Sequence, residues 1–205
     1  MKYRKFGNTG LEISELIFGA GAVGGLLINA DDDTKRQAIR MALDAGVNWI
    51  DTAASYGQGR SEQALAWLMK EIPADERPYI SSKMAFDGEA GDFVGQAERC
   101  ITESLERLQM DRIELFQSHN RVAPASAQLE RSLTVEQFLG KGGVADARDR
   151  LVDYAQHRPA LLHERDKRPE DRSAGDEAGG SIDRIEHPLA ARTFIARAVF
   201  FADDT

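Results

Sequence analysis

The chain has 205 residues, of which 42% are hydrophobic and 29% are charged, and its formal net charge is −8. These values are ordinary for a globular protein, and the acidic excess argues against a protein that binds the phosphate backbone of nucleic acids. It favours a small-molecule or protein partner instead. The sequence has no run of 18 apolar residues and no apolar signal core at its start, so we expect no membrane partner and a cytoplasmic location. The single cysteine, Cys100, leaves no thiolate cluster, and no metal site is predicted.

The first fifteen residues predict a β-hairpin. Alternating segments flank the sequence GNTG at residues 7–10, where Asn8 and the two glycines are expected to supply the positive φ angles of the turn. A buried strand is expected in the apolar run that begins at residue 16. The glycines that follow predict a loop where the backbone approaches another group closely.

Amphipathic helices and short apolar strands then alternate along the chain. Strands are predicted over 47–53, 79–84 and 112–119, and helices over 31–46, 60–72, 92–109 and 142–156. Ser61 is expected to cap the second of these helices. The alternation indicates βαβ units, and therefore an α/β fold with a parallel sheet covered by helices.

Polar residues stand where the predicted strands end. Asp51, Lys83 and His119 end three successive strands, and Tyr56 lies in the loop after the first of them. The carboxyl ends of parallel strands meet at one rim of a sheet, which is where (β/α) barrels build their active sites. The sequence therefore predicts that these four side chains lie close together.

The four side chains could deliver a proton to a carbonyl oxygen. An ammonium group beside a phenol favours the phenolate, and a carboxylate beside the ammonium compensates its charge. A histidine opposite can hydrogen-bond the carbonyl oxygen and orient it. None of these groups supplies a hydride, so carbonyl reduction here would require a nicotinamide cofactor.

Each residue also has a purely structural interpretation. Asp51 could cap the following turn, and Lys83 could serve only as its ion-pair partner. Tyr56 could be an ordinary half-buried aromatic residue, and His119 could be a histidine at the rim with no chemical role. The joint placement of all four at one rim favours the catalytic interpretation.

Several segments together resemble the N-terminal half of the aldo-keto reductases, through residue 155 or so. They are YRKFGNTGLEISELIFGAG, AGVNWIDTAASYGQGRSE, ISSKM, ESLERLQMDRIELFQSHN and LTVEQFLGKGGVADARDRL. The resemblance implies an NADP(H)-dependent carbonyl reductase and the first half of a (β/α)8 TIM barrel, closed at the bottom by the hairpin. It also implies that Tyr56 is the general acid and that Lys83 is its partner. Asp51 would be the carboxylate paired with that lysine, and His119 would orient the carbonyl substrate. The implied cofactor-binding residues are Ala20, Gly21 and Asp51.

The sequence departs from that family near its end. Residues 158–205 are rich in arginine, do not resume the strand–helix alternation and contain a stretch with little to bury, so a disordered, non-barrel tail is expected. We therefore divide the chain into a partial barrel at 1–157 and a tail at 158–205, which could arise from a truncated or frameshifted reading.

Two functions follow as alternatives. The first is an aldo-keto reductase that reduces an aldehyde or ketone to an alcohol, with impaired cofactor binding because the second half of the barrel is missing. The second is a non-catalytic barrel fragment that acts as a binding or subunit-like module. A half-barrel also has open sheet edges, through which self-association is possible.

Overall fold

The computed structural model describes residues 1–21, 25–124 and 132–147. The tail predicted at 158–205 lies outside these residues, as does most of the helix predicted over 142–156, of which 144–147 are helical. The strands are β1 (Tyr3–Lys5), β2 (Glu12–Ser14), β3 (Phe18–Gly19), β4 (Trp49–Asp51), β5 (Tyr79–Met84), β6 (Leu115–Ser118), β7 (Arg121–Val122) and β8 (Ser132–Leu133). The helices are α1 (Leu26–Asn29), α2 (Asp32–Asp44), α3 (Arg60–Glu71), α4 (Phe93–Leu108) and α5 (Val135–Leu139).

A four-stranded parallel sheet in the order β3-β4-β5-β6 organises the described part of the chain. Helix α2 connects β3 to β4, α3 connects β4 to β5, and α4 connects β5 to β6. These connections are the βαβ units that the alternation predicted, and the parallel α/β fold is confirmed. Among the described helices, none is long and apolar enough to cross a membrane.

The two faces of the sheet have different roles. Ile50, Ile80 and Phe116 are buried in the large apolar core, into which α3 and α4 also insert their apolar residues. Side chains alternate between the faces of a strand. The neighbours Asp51, Ser81 and Lys83 therefore point away from that core to the opposite face, which also carries the buried apolar side chains of Trp49 and Leu115.

Strands β1 and β2 form an antiparallel pair in which Tyr3 lies opposite Ser14. A second, smaller apolar cluster joins this pair to the sheet, and the ring of Phe6 packs 5.2 Å from that of Trp49. The turn between the strands has positive φ at Gly7 and Gly10. The prediction that Asn8 would share this conformation is wrong, because the two glycines supply all the left-handed residues of the turn.

Helix α5 was not predicted, although a local signal marks it. Thr134 is its N-cap, and Gln137 completes a reciprocal capping box in which each side chain bonds the other residue's backbone N–H. The Gln137 amide nitrogen also donates to the Gly88 carbonyl at 2.9 Å and ties α5 to the loop after β5. The local signal is the sequence TVEQ at residues 134–137, in which a threonine precedes a glutamine by three positions.

A buried ion pair joins α3 to α4 behind the sheet. The Glu62 side chain is fully buried and accepts hydrogen bonds from Arg107 Nε and Ser82 Oγ, both at 2.6 Å. Arg107 also donates to Ser104 Oγ at 3.1 Å. A buried carboxylate is tolerated only with such partners, because removal from water is costly for a charge.

Replacement of Arg107 by methionine is expected to lower the free energy of unfolding by about 3–5 kcal/mol, because it leaves the Glu62 charge buried without its cation. The double change Glu62→Gln with Arg107→Met removes both charges and should recover most of that loss. Urea unfolding of the three proteins measures both effects. An Arg107→Met variant as stable as the unmodified chain would show that the buried Glu62 carboxylate does not need Arg107 as its partner.

Candidate active site

The structure brings the four predicted residues together at the carboxyl ends of the strands. Asp51 is the last residue of β4, Lys83 is the penultimate residue of β5, and His119 directly follows β6. Tyr56 lies in the turn between β4 and α3. Register explains the convergence: Asp51 is level with Ser81 on β5, and Lys83 lies two residues farther along the same face.

Lys83 is the centre of the group. Its ammonium forms an ion pair with Asp51 Oδ2 and donates to the Thr52 carbonyl oxygen at 2.8 Å. The Tyr56 hydroxyl lies 3.4 Å from the same nitrogen. Only 14% of the Lys83 side chain is exposed, so these three oxygens replace most of the water that would otherwise solvate the charge.

Tyr56 lies between the lysine and the histidine. Its ring packs edge-on against that of His119, with centroids 5.8 Å apart and an interplanar angle of 81°. The Lys83 nitrogen also lies 5.0 Å from the Tyr56 ring centroid. The Tyr56 side chain is half-buried, and its hydroxyl lies next to the Lys83 cation.

His119 lies at the exposed mouth of the site. Its backbone N–H donates to the Met84 carbonyl at 2.6 Å, which extends the β5–β6 ladder by one residue. Its Nδ1 lies 3.4 Å from Ser55 Oγ. Desolvation lowers the pKa of the His119 imidazole, the Lys83 charge lowers it further, and the Asp51 charge opposes both. The lowered pKa favours the neutral form of the ring.

Ala20 and Gly21, predicted to lie beside a cofactor, follow β3 at the same rim. The Ala20 N–H donates to the Asp51 carbonyl at 2.8 Å, and its own carbonyl accepts from Ser61 Oγ at 2.9 Å. A Cβ added to Gly21 would touch the Tyr56 ring, 3.5 Å from Cε2 and Cζ. The Gly21 backbone therefore lies beside the phenol ring at this rim.

Ser61 does not cap α3, contrary to the prediction. The N-cap of α3 is Gly59, which has φ 86° and no side-chain cap hydrogen bond. Ser61 is instead fully buried, and its hydroxyl bonds Thr52 Oγ1 at 2.8 Å as well as the Ala20 carbonyl. It therefore anchors the Ala20 segment beside β4. The sequence could not predict this role, because Ser61 and Ala20 are 41 positions apart.

Two other residues that the sequence analysis missed shape the rim. Asn120 accepts from the Phe86 N–H at 2.7 Å and donates to the Phe86 carbonyl at 2.9 Å, so it joins the loop after β5 to the end of β6. Ser81 donates to Asp51 Oδ1 at 2.7 Å. A signal for Ser81 exists in the sequence, since residues two apart on a strand share a face and Ser81 precedes Lys83 by two.

The family model described as the aldo/keto reductase family matches residues 15–146. The chain belongs to this family, and the predicted resemblance is confirmed. It is 35% identical over 125 residues to aldo-keto reductase YhdN of Bacillus subtilis (strain 168), a match that spans 58% of this chain and 38% of that protein. It is 33% identical over 181 residues to D-threo-aldose 1-dehydrogenase of a Pseudomonas species, spanning 71% of this chain and 55% of that protein.

A solved structure has a similar fold. The aldo-keto reductase from Klebsiella pneumoniae in complex with NADPH superposes with a TM-score of 0.50 at 20% identity, covering 70% of this chain and 43% of that one. The chain spans between about two fifths and about half of the length of these relatives.

The pKa of His119 is expected to respond to the two charges in opposite directions. Lys83→Met should raise it, because the cation that lowers it is lost, whereas Asp51→Asn should lower it further. Titration of the ring C–H resonances by NMR measures these shifts, with His119→Gln to assign the signal. A Lys83→Met variant in which the His119 pKa falls would contradict the arrangement of charges.

Proposed function

We propose that this site carries out NADP(H)-dependent reduction of an aldehyde or ketone to an alcohol. The observation that carries the proposal is the position of the Tyr56 hydroxyl, in reach of the Lys83 ammonium, with the Tyr56 ring packed against that of His119. A phenol, a cation and an imidazole at one rim can bind, polarise and protonate a carbonyl oxygen. The family relationship supports the reaction class.

Tyr56 is the proposed proton donor. Its O–H would protonate the carbonyl oxygen as the carbonyl carbon is reduced, and the Lys83 ammonium would stabilise the phenolate that remains. Asp51 would hold that ammonium in place. When Nδ1 of His119 accepts from the Ser55 hydroxyl, the ring proton lies on Nε2, which can then donate to the carbonyl oxygen.

A reduced nicotinamide would supply the hydride when bound. Ala20 and Gly21, together with Asp51, are the residues proposed to hold its ring, because Ala20 and Gly21 follow β3 at the same rim and Gly21 lies beside the Tyr56 ring. The Klebsiella pneumoniae enzyme, which is described with NADPH, supports the choice of this phosphorylated cofactor. The aldose dehydrogenase of Pseudomonas supports a sugar-like or small aldehyde as substrate.

The half-barrel and the place of the hairpin at its bottom are also parts of this proposal. Self-association through β3 and β6, the edge strands of the four-stranded sheet, is proposed because edge strands can pair with another chain.

Tyr56→Phe is expected to reduce NADPH-dependent aldehyde turnover by about 10²–10⁴-fold, the usual contribution of a positioned general acid. Tyr79→Phe is the matched control, because the same hydroxyl is removed from a residue that packs beside Trp49. Turnover is followed by the loss of NADPH absorbance with a small hydroxyaldehyde. Equal turnover in the Tyr56→Phe variant would refute the assignment of the proton donor.

Titration of the chain with NADPH, followed by cofactor fluorescence, separates the enzyme from a non-catalytic module. We expect saturable binding that Tyr56→Phe leaves unchanged, since the hydroxyl takes part in the proton transfer. Weaker competition by NADH would support the preference for the phosphorylated cofactor. No saturable signal for either nucleotide would instead support a binding or subunit-like barrel fragment.

A further inference from the structure

The Asp51 carboxylate is held from two sides. One oxygen, Oδ2, pairs with the Lys83 ammonium, while the other, Oδ1, accepts a hydrogen bond from Ser81 Oγ at 2.7 Å. Ser81 is fully buried and lies directly opposite Asp51 in the β4–β5 ladder. The carboxylate can rotate only if one of these two bonds breaks.

The Ser81 hydroxyl has a defined direction. Trp49 Nε1 donates to Ser81 Oγ at 2.9 Å, and Trp49 is buried in the cluster beneath the site. An indole N–H can only donate, so it occupies an acceptor position of the hydroxyl and cannot receive its proton. The single O–H of Ser81 is thereby left for Asp51, and a directed chain runs from Trp49 through Ser81 to the carboxylate.

The direction of the Lys83 ammonium depends on this chain. Its three N–H groups can reach Asp51 Oδ2, the Thr52 carbonyl at 2.8 Å and the Tyr56 hydroxyl at 3.4 Å. The Thr52 oxygen belongs to a backbone that is itself bonded to Ser81, since the Thr52 N–H donates to the Ser81 carbonyl at 2.8 Å. Asp51 is the charged partner and forms the strongest of these contacts, so the orientation of its carboxylate is the main constraint on where the lysine points.

We propose that Ser81, supported by Trp49, is a positioning residue that locks the Asp51 carboxylate and thereby aims Lys83 at the Tyr56 hydroxyl. The inference rests on the proposed function, because it assigns Ser81 a part in the same proton delivery. Ser81 does not touch the reacting atoms, and it acts only through Asp51 and Lys83.

The experiment compares Ser81→Thr with Ser81→Val. Threonine and valine have nearly the same shape, and only threonine keeps the hydroxyl, so any steric cost at this buried position is shared. In Ser81→Val, kcat for aldehyde reduction should fall about tenfold or more with KM little changed, as expected for the loss of one charge-assisted hydrogen bond. Ser81→Thr should retain most of the unmodified kcat.

A second readout does not need turnover. Reductive methylation of the Lys83 amine, measured by peptide mass spectrometry, should be faster in Ser81→Val than in Ser81→Thr, because a loosened carboxylate exposes the amine. Ser82→Val is the matched control, since its hydroxyl bonds Glu62 on the opposite face and its loss should leave Lys83 labelling unchanged. Ser81→Ala repeats the comparison with a smaller side chain if the valine variant does not fold.

The outcomes distinguish this inference from the proposed function. Faster labelling of Lys83 without measurable turnover in the unmodified chain would support the positioning by Ser81 and count against the reductase activity. Equal Lys83 labelling in Ser81→Val or Ser81→Ala and in Ser81→Thr would overturn the inference. A fall in kcat that is as large in Ser81→Thr as in Ser81→Val would also overturn the inference, because the hydroxyl would then be irrelevant.

Discussion

The Lys83 ammonium lies where only 14% of the side chain meets solvent, and a desolvated charge requires partners that replace water. Those partners are the Asp51 carboxylate, the Thr52 carbonyl and the Tyr56 hydroxyl. Much of the described site arranges these oxygens. Ser81 holds the carboxylate, the β4–β5 ladder holds the carbonyl, and the turn before α3 holds the phenol. Two side chains that compensate the Lys83 charge, those of Asp51 and Tyr56, are thereby also members of the proposed proton-delivery site.

The parallel sheet makes this arrangement possible by separating two tasks. One face carries Ile50, Ile80 and Phe116 into the core beneath α3 and α4, and the other presents the polar ends of the strands. Ser81 and Ser82 illustrate the separation, because these neighbours point to opposite faces. Ser82 donates a hydrogen bond to Glu62 in the buried Glu62–Arg107 pair that joins the helices, while Ser81 donates to Asp51. A substitution of Ser82 is therefore expected to affect stability, and a substitution of Ser81 is expected to affect the chemistry.

Much of the fold could be predicted because its signals are local. Strand-like apolar runs alternated with amphipathic helices, and the residues at the strand ends, Asp51, Lys83 and His119, were polar where a buried strand should stop. The failures had two origins, local signals that were misread and contacts between distant residues. Asn8 was assigned a positive φ that only its neighbouring glycines adopt, and α5 was overlooked despite its capping box. Ser61 was mistaken for a cap because its true partners are far away in the chain.

The sequence by itself determined the parallel α/β class and the convergence of four chemically matched residues, because periodicity and strand direction require no knowledge of distant contacts. It indicated the family separately, through the resemblance of several segments to known members. Only the tertiary structure decided which atoms meet. Cross-strand register sets Asp51 level with Ser81, and packing turns the Trp49 indole toward the serine hydroxyl. Hydrogen bonds depend on distances of a few ångströms between residues some thirty positions apart. Such distances are fixed when strands and helices pack together, and no spacing along the chain encodes them.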